Sequence, residues 1–271
     1  MKISRISKQK RATSRYNIFL DDGNEESYGF SVDEDLLVEY HLHKGMTIEQ
    51  SLIQTLKQQD TIHQSYRQAI NYLGYRMRSR HEIKQYLSRK DVDPEHIDEI
   101  IVKLSDKGLI DDKEFADMFV RHRIQQSTKG PQLVKKELIV TKGISNEIAS
   151  EAIEQYTYDV QYSRAMNVAK KRMRRKSKHS FQRQIQQLQA ALTRNGFAHS
   201  VIQDVVEECR SSFNDIDEEW EALSKHGKRL LRRYEGQLSG FTLQNKLREA
   251  LYRQGFSMDN INNFLDENSV E

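Results

Sequence analysis

The sequence predicts a mostly α-helical protein, in which tandem three-helix repeats stack into a curved, elongated solenoid behind a small N-terminal β-containing module. Three observations carry this reading. An Ala-x6-Arg-apolar frame occurs four times, at Ala69, Ala116, Ala165 and Ala222, spaced by 47, 49 and 57 residues. A second frame, a short turn after an apolar helical stripe, recurs as Lys90-Asp91-Val92, Lys142-Gly143-Ile144, Asn195-Gly196-Phe197 and Gln254-Gly255-Phe256. The 271 residues include two prolines, and 37% are hydrophobic against 31% charged. Long stretches are therefore free to be helical, and an array with much surface suits this composition better than one globule.

The first 60 residues read differently from the rest. Residues 2–7 and 15–20 are short β-branched or aromatic-bearing runs, and Asp21-Asp22-Gly23-Asn24 is a hairpin-type turn before residues 25–30. A small antiparallel sheet is expected. An amphipathic helix over 33–43, ended by Gly45, follows it, and Thr47-x-x-Gln50 then reads as a capping-box start for a helix reaching about Gln58.

From Ser65 onward the two frames define four helical triplets, over 61–110, 111–156, 157–212 and 213–271, behind a module of residues 1–60. This means twelve helices and no strand after Ser65. Glycine takes the helix C-cap position in three of the four turns. Third helices open at Asp93-Pro94, Ser145 and Ser257, and their buried faces begin at Ile97, Ile148, Ile202 and Ile261. Units this small bury their apolar stripes partly against neighbours, and stacked units present long binding surfaces. Fold by itself does not prove function.

Enzymatic chemistry has no visible constellation. There is no G-x-G-x-x-G and no Gly-Lys-Ser/Thr phosphate cradle, and the nine histidines never form H-E-x-x-H. His41 and His43 would point to different sides of a helix. Asp111, Asp112 and Glu114 read as carboxylates complementing a helix start. Cys209 stands alone, so neither a disulfide framework nor a cysteine zinc site is available. No catalytic residue, cofactor or metal is expected. No apolar run approaches the roughly 20 residues that span a bilayer, so no membrane association is expected and a reducing cytoplasm is the default location.

Charge is unevenly distributed. Residues 157–212 hold 11 Lys and Arg against 4 Asp and Glu, a balance of +7 in a chain whose net charge is +3. Within this island, Lys170-Lys171-Arg172-Met173-Arg174-Arg175-Lys176-Ser177-Lys178 places seven cations in nine residues. A helix C-terminus accounts for two or three of them; the rest repel one another unless a polyanion or an acidic partner relieves the cost. Lys225, Lys228, Arg229, Arg232 and Arg233 form a parallel cluster in the fourth repeat, and Arg76, Arg78 and Arg80 take the matching place in the first. Lys170, Lys171, Arg172, Arg174, Arg175 and Lys178 are the expected main anionic contact. Arg172 is also expected to hold one helix against the next, because Arg76, Arg123 and Arg229 recur at its position. The nearby Tyr66, Tyr72, Tyr75 and Tyr162 read as helix-core packing, with base stacking as the alternative.

Ser79-Arg80-x-Glu82-Ile83-x-x-Tyr86-Leu87, Gly108-Leu109-Ile110-Asp111-Asp112-x-x-Phe115-Ala116, Lys129-Gly130-Pro131 with Leu138, and Lys142-Gly143-Ile144 follow in that order. Each has a plain structural reading: Ser79-x-x-Glu82 is a capping box, Asp111-x-x-Glu114 an acidic helix start, Gly130-Pro131 an N-cap with proline at N1. Their succession resembles the core signature of the RecX family, closely over 69–153 and by architecture elsewhere. With four repeats and the N-terminal module, the chain is similar to the family's longer form. The resemblance implies a non-catalytic, cytoplasmic monomer that acts in homologous recombination, DNA repair and the SOS response. Its partners would be RecA and the RecA–DNA filament, whose growth, ATP hydrolysis and strand exchange it would restrain. An autonomous single- or double-stranded DNA-binding protein, acting through these basic clusters alone, which stacked repeats would align into a stripe, is the competing reading.

Overall fold

Three antiparallel strands, β1 (Lys2–Lys8), β2 (Arg15–Asp21) and β3 (Glu26–Asp33), open a computed structural model that describes residues 1–10, 14–173, 179–212, 216–234 and 236–268. They pair in the order β1-β2-β3. Ile3, Ile18, Leu20, Phe30 and Val32 turn one face of the sheet towards α1 (Glu34–Glu39) and the first half of α2 (Gln50–Leu73), where Leu36, Ile53 and Leu56 complete a core. At the hairpin, the Asp21 and Asp22 carboxylates accept backbone N–H bonds from Gly23 and Asn24. Two buried acids tie the sheet to α2. Asp33 caps α1 and pairs with Arg67 at 2.7 Å, while Asp60 pairs with Arg15 at 2.7 Å and accepts the Asp33 N–H.

Three expectations about this module need correction. Helix α1 ends at Glu39 instead of running to 43, because His41 adopts a left-handed φ of 49° and turns buried Leu42 back to the core. Thr47 is not a helix cap: it bridges to Lys2, and Glu49 is the N-cap of α2 without a side-chain bond. Nor does α2 end near Gln58, since neither proline nor glycine interrupts it before Gly74. One helix thereby serves two cores, with Ile53 and Leu56 under the sheet and Ile62 and Ala69 in the first helical triplet.

The first triplet is completed by α3 (Arg80–Ser88) and α4 (Pro94–Asp106). The second comprises α5 (Asp112–Gln126), α6 (Pro131–Lys136, continued by a π-helical turn over Glu137–Thr141) and α7 (Asn146–Ile153). The third is α8 (Tyr158–Met173), α9 (Phe181–Arg194) and α10 (His199–Ser212). The fourth is α11 (Ile216–Tyr234), α12 (Gly240–Tyr252) and α13 (Met258–Glu267). Among the described residues no strand follows Asp33.

Both sequence frames have physical causes. Ala69, Ala116 and Ala165 are fully buried, where only a methyl group fits between helices, and Ala222 is partly buried. The turn residues Asp91, Gly143, Gly196 and Gly255 all take left-handed φ values, of 58°, 66°, 80° and 87°. From the N-cap of the middle helix to that turn there are twelve residues from Ser79 to Asp91, thirteen from Gly130 to Gly143, and sixteen from Ser180 to Gly196 and from Ser239 to Gly255. The single extra residue in the second triplet is absorbed as the π-helical turn; the four extra residues in the third and fourth add about one α-turn.

The chain divides into two compact units, Met1–Phe115 and Ala116–Glu271, with the division inside α5. In the second unit, successive triplets join by one device, the start of a middle helix seated on the next middle helix's turn. The Gly130 N–H donates to the Asn195 carbonyl at 2.7 Å and the Gln132 N–H to the Gly196 carbonyl at 3.1 Å. The Ser180 hydroxyl donates to the Gln254 carbonyl at 2.9 Å. A Cβ on Gly196 would lie 2.7 Å from the Leu133 nitrogen, and one on Gly255 2.6 Å from the Ser180 Oγ. Glycine is thus required twice over at these turns, for left-handed φ and for close approach. Asp91 meets the first condition, which aspartate tolerates.

Candidate anion-binding face

The arginine of the repeat frame is used in two ways. Arg76 reaches from the end of α2 to Glu82 on α3, Nη2 to Oε1 at 2.8 Å, while the same carboxylate completes the capping box with Ser79. Arg123 similarly joins α5 to the π-helical turn through Glu137 at 2.9 Å, where Lys129 also pairs with that carboxylate. In the third triplet, the N3 position that Glu82 occupies in the first holds Arg183, and α9 contains no carboxylate at all. Arg172 is exposed and makes no ion pair among the described residues. The helix clamp expected from recurrence is thus not seen among the described residues, α9 offering no acid where α3 offers Glu82. Arg229 is also exposed and makes no ion pair among the described residues; its Nη2 lies 3.1 Å from the His226 ring.

Lys170, Lys171 and Arg172 project from the last turn of α8 into solvent. Arg174, Arg175 and Lys178 lie outside the described residues, as does Lys176. On α11, Lys225, Lys228, Arg229, Arg232 and Arg233 are exposed at three- and four-residue spacings on one side, opposite the side where Leu223 and Leu230 enter the core. The helix thus carries a continuous cationic face held by an apolar anchor.

The first triplet differs. Arg76 is paired. Arg78 lays its guanidinium 4.0 Å over Tyr72, which stacks on Tyr86 at 4.0 Å and 7°. The Arg78 Nε is buried without an acceptor. Arg80 is exposed at the start of α3, and its backbone N–H donates to Asp112 at 2.8 Å. Tyr66, Tyr72 and Tyr162 pack partly buried, as expected, Tyr66 also meeting Lys103 and Lys107. Tyr75 does not: it is 85% exposed, because α2 has ended at Leu73 and the position is no longer on a helical face.

Elsewhere the titratable groups are structurally engaged. Asp111 caps α5 through the Lys113 and Glu114 N–H groups. Burial raises the Asp112 carboxyl above its ordinary range, the Arg80 N–H bond opposing this. Ligand atoms of Asp33, Asp35 and His63 lie within 4.8 Å of one another, but both Asp33 oxygens already bind Arg67. Burial pushes up the Cys209 thiol, which keeps it protonated and unreactive. No helix among the described residues is long and apolar enough to cross a membrane.

Comparison with known proteins divides the triplets along the same line. Residues 1–49 match the family model of the Regulatory protein RecX N-terminal domain, 66–104 that of the RecX first three-helix domain, and 111–153 that of the second. The model of the third three-helix domain matches twice, over 159–206 and 217–265. The chain belongs to the RecX family. It is 45% identical over 268 residues to the regulatory protein RecX of Oceanobacillus iheyensis, covering 98% of this chain and 97% of the relative. With that of Bacillus cytotoxicus it shares 38% identity over 263 residues, 97% and 96% of the two chains. A crystal structure of regulatory protein RecX aligns with a TM-score of 0.68 at 34% identity, over 76% of this chain and 98% of that one. The RecX of Lactobacillus salivarius aligns at 0.52 and 35% identity, over 55% and 96%. The first three of these relatives are named regulatory proteins. The double match makes the fourth triplet a second copy of the RecX third domain, and the two copies share the longer middle helix and a frame arginine that makes no ion pair among the described residues.

Proposed function

We propose that this RecX protein restrains homologous recombination by gripping the RecA–DNA filament without chemistry of its own, and that the exposed cations of α8 and α11 are its main anionic contact. The observation that carries this is the contrast at the frame position. Arg76 and Arg123 are ion-paired within the fold, whereas Arg172 and Arg229, among exposed lysines and arginines, make no ion pair among the described residues. Clustered cations without internal partners gain most from a phosphate polyanion, through release of its counterions. Arg174, Arg175 and Lys178 extend the α8 cluster in sequence, and Arg78 and Arg80 would contribute from the first triplet. A protein that binds one filament state better than another shifts assembly towards that state, which is how a binding device lowers ATP hydrolysis and strand exchange. The acting species is taken to be a monomer in the cytoplasm.

The test is binding to single- and double-stranded DNA and to preformed RecA–DNA filaments across a salt series. Tight binding to filaments with weak binding to bare DNA supports the proposal. Equal affinity for bare DNA, with a steep salt slope, supports an autonomous DNA-binding protein instead.

A further inference from the structure

We propose that the corner between α2 and α3 is a single-stranded nucleic-acid subsite, in which Tyr75 stacks on one base while Arg78 and Arg80 hold the adjoining phosphates. The inference rests on the reading above that the chain works on DNA-bearing filaments, and it adds a contact of a different chemical kind. Tyr75 stands 85% exposed in a corner of Gly74-Tyr75-Arg76-Met77-Arg78-Ser79-Arg80, so an aromatic face and three arginines share seven consecutive residues. Arg76 is committed to Glu82. Arg78 has no carboxylate partner among the described residues, and its Nε lacks any acceptor. Its guanidinium lies flat on the Tyr72–Tyr86 stack, which fixes the direction of the remaining N–H groups at no cost when an anion arrives. Arg80 projects from the first position of α3, where the helix dipole adds positive potential.

An oriented, uncompensated guanidinium asks for an anion, and the free aromatic face three residues before it in the chain asks for a planar group. One nucleotide supplies both. The bases of a duplex are already stacked on one another, so an exposed tyrosine reads single strands, whereas cation faces such as that of α11 hold phosphates of either form. The corner is therefore suited to separate single strands from duplex.

The experiment uses the full chain and a labelled oligothymidylate without RecA, followed by fluorescence anisotropy. Tyr75→Ala should weaken single-strand binding roughly 5- to 100-fold at fixed salt, since one stacked base contributes on that scale. It should leave duplex affinity and the salt slope unchanged, and Tyr75→Phe should restore binding. Arg80→Gln should reduce the single-strand slope by about 0.7. Thermal melting of each variant, expected to match the parent because both side chains are exposed, separates binding from folding. Unchanged single-strand affinity in Tyr75→Ala, an equal loss for duplex, or no binding of oligothymidylate by the parent would each overturn the subsite. The filament reading is judged separately, by the affinity of the parent for preformed RecA–DNA filaments relative to bare DNA.

Discussion

The second and third triplets carry the same frame and put its arginine to opposite use. In the second, Arg123 is drawn onto Glu137, with the Phe119 ring 4.6 Å below its guanidinium, and its charge is spent inside the fold. In the third, every acid has gone from the middle helix, Arg172 is left in solvent, and two lysines precede it. A repeat can thus keep its backbone plan while loss of the acid from its middle helix, whether Glu82 at the start of α3 or Glu137 in the π-helical turn, removes the clamp from the frame arginine. In the fourth triplet, which matches the same domain model as the third, the N3 position holds Thr242, and the Glu249 of α12 pairs with Lys246 and Arg253 and not with Arg229.

The largest expected consequence is in binding. Combined Lys170→Glu, Lys171→Glu, Arg172→Glu, Lys228→Glu and Arg229→Glu substitutions should lower filament affinity roughly 100- to 1000-fold at low salt. The slope of log affinity against log salt should flatten by about one unit for each phosphate that is no longer neutralised. If the folded variant keeps both affinity and slope, the free cations of the last two triplets serve solubility and the contrast has no functional meaning.

The joints between triplets give the next largest effect. Gly196→Ala must place a methyl group against the Leu133 backbone at a left-handed φ, a cost of about 2–3 kcal/mol. Gly255→Ala meets a side-chain atom instead, the buried Ser180 hydroxyl, which can turn aside only by giving up its bonds to Gln254 and the Arg183 N–H, and should cost slightly less. Asp91→Gly should change stability by under about 1 kcal/mol. Urea midpoints that rank these three differently would mean the joints are looser than their hydrogen bonds suggest.

Much of this was legible in the sequence because caps and turns are local. Ser79-x-x-Glu82, Gly130-Pro131, Asp93-Pro94 and the left-handed turns act through bonds spanning a few residues, so the order of helices from Ser65 onward could be read directly. What failed depended on distance. Thr47 offered a cap that its pairing with Lys2 took away, and nothing local shows that α2 spans two cores. The pairing state of Arg76, Arg123, Arg172 and Arg229 is likewise tertiary: the frame fixes where each arginine stands but not what faces it. The absence of acids from residues 181–194 was the available signal for Arg172, and the thirteen-residue spacing from Gly130 to Gly143 was the signal for the π-helical turn.

A smaller effect separates the clamped from the free arginines in stability. Arg123→Met should cost about 1 kcal/mol, because Lys129 remains to satisfy half-buried Glu137, whereas Arg172→Met should stay within about 0.5 kcal/mol. Equal costs at the two positions would show that Arg172 has a structural partner after all, and thermal melting of the two single variants decides it.

The smallest effect concerns pH at the joint of the third and fourth triplets. His226 on α11 is held below its ordinary value of 6.5 by burial, then by the neighbouring Arg229 and His179. The unfolded chain therefore takes up this proton first as the pH falls, so the stabilisation present above about pH 6.5 is lost as pH drops through the lower folded value. Glu219, on the same helix, opposes it. Burial raises its carboxyl although the Phe181 N–H bonds to it, so the folded state binds that proton first and stability is regained nearer pH 4.5. The two windows open from opposite ends, His226 from pH 6.5 downward and Glu219 from pH 4.5 upward, and their contributions have opposite sign. From pH 7.5 to 5.5 the histidine should dominate, and the urea midpoint should fall by an amount limited by the partial exposure of the ring. His226→Gln, which cannot titrate, should remove the His226 share of the fall while leaving the midpoint at pH 7.5 nearly unchanged. A parent and variant with parallel pH profiles would place the proton uptake on other groups and leave the joint insensitive to His226.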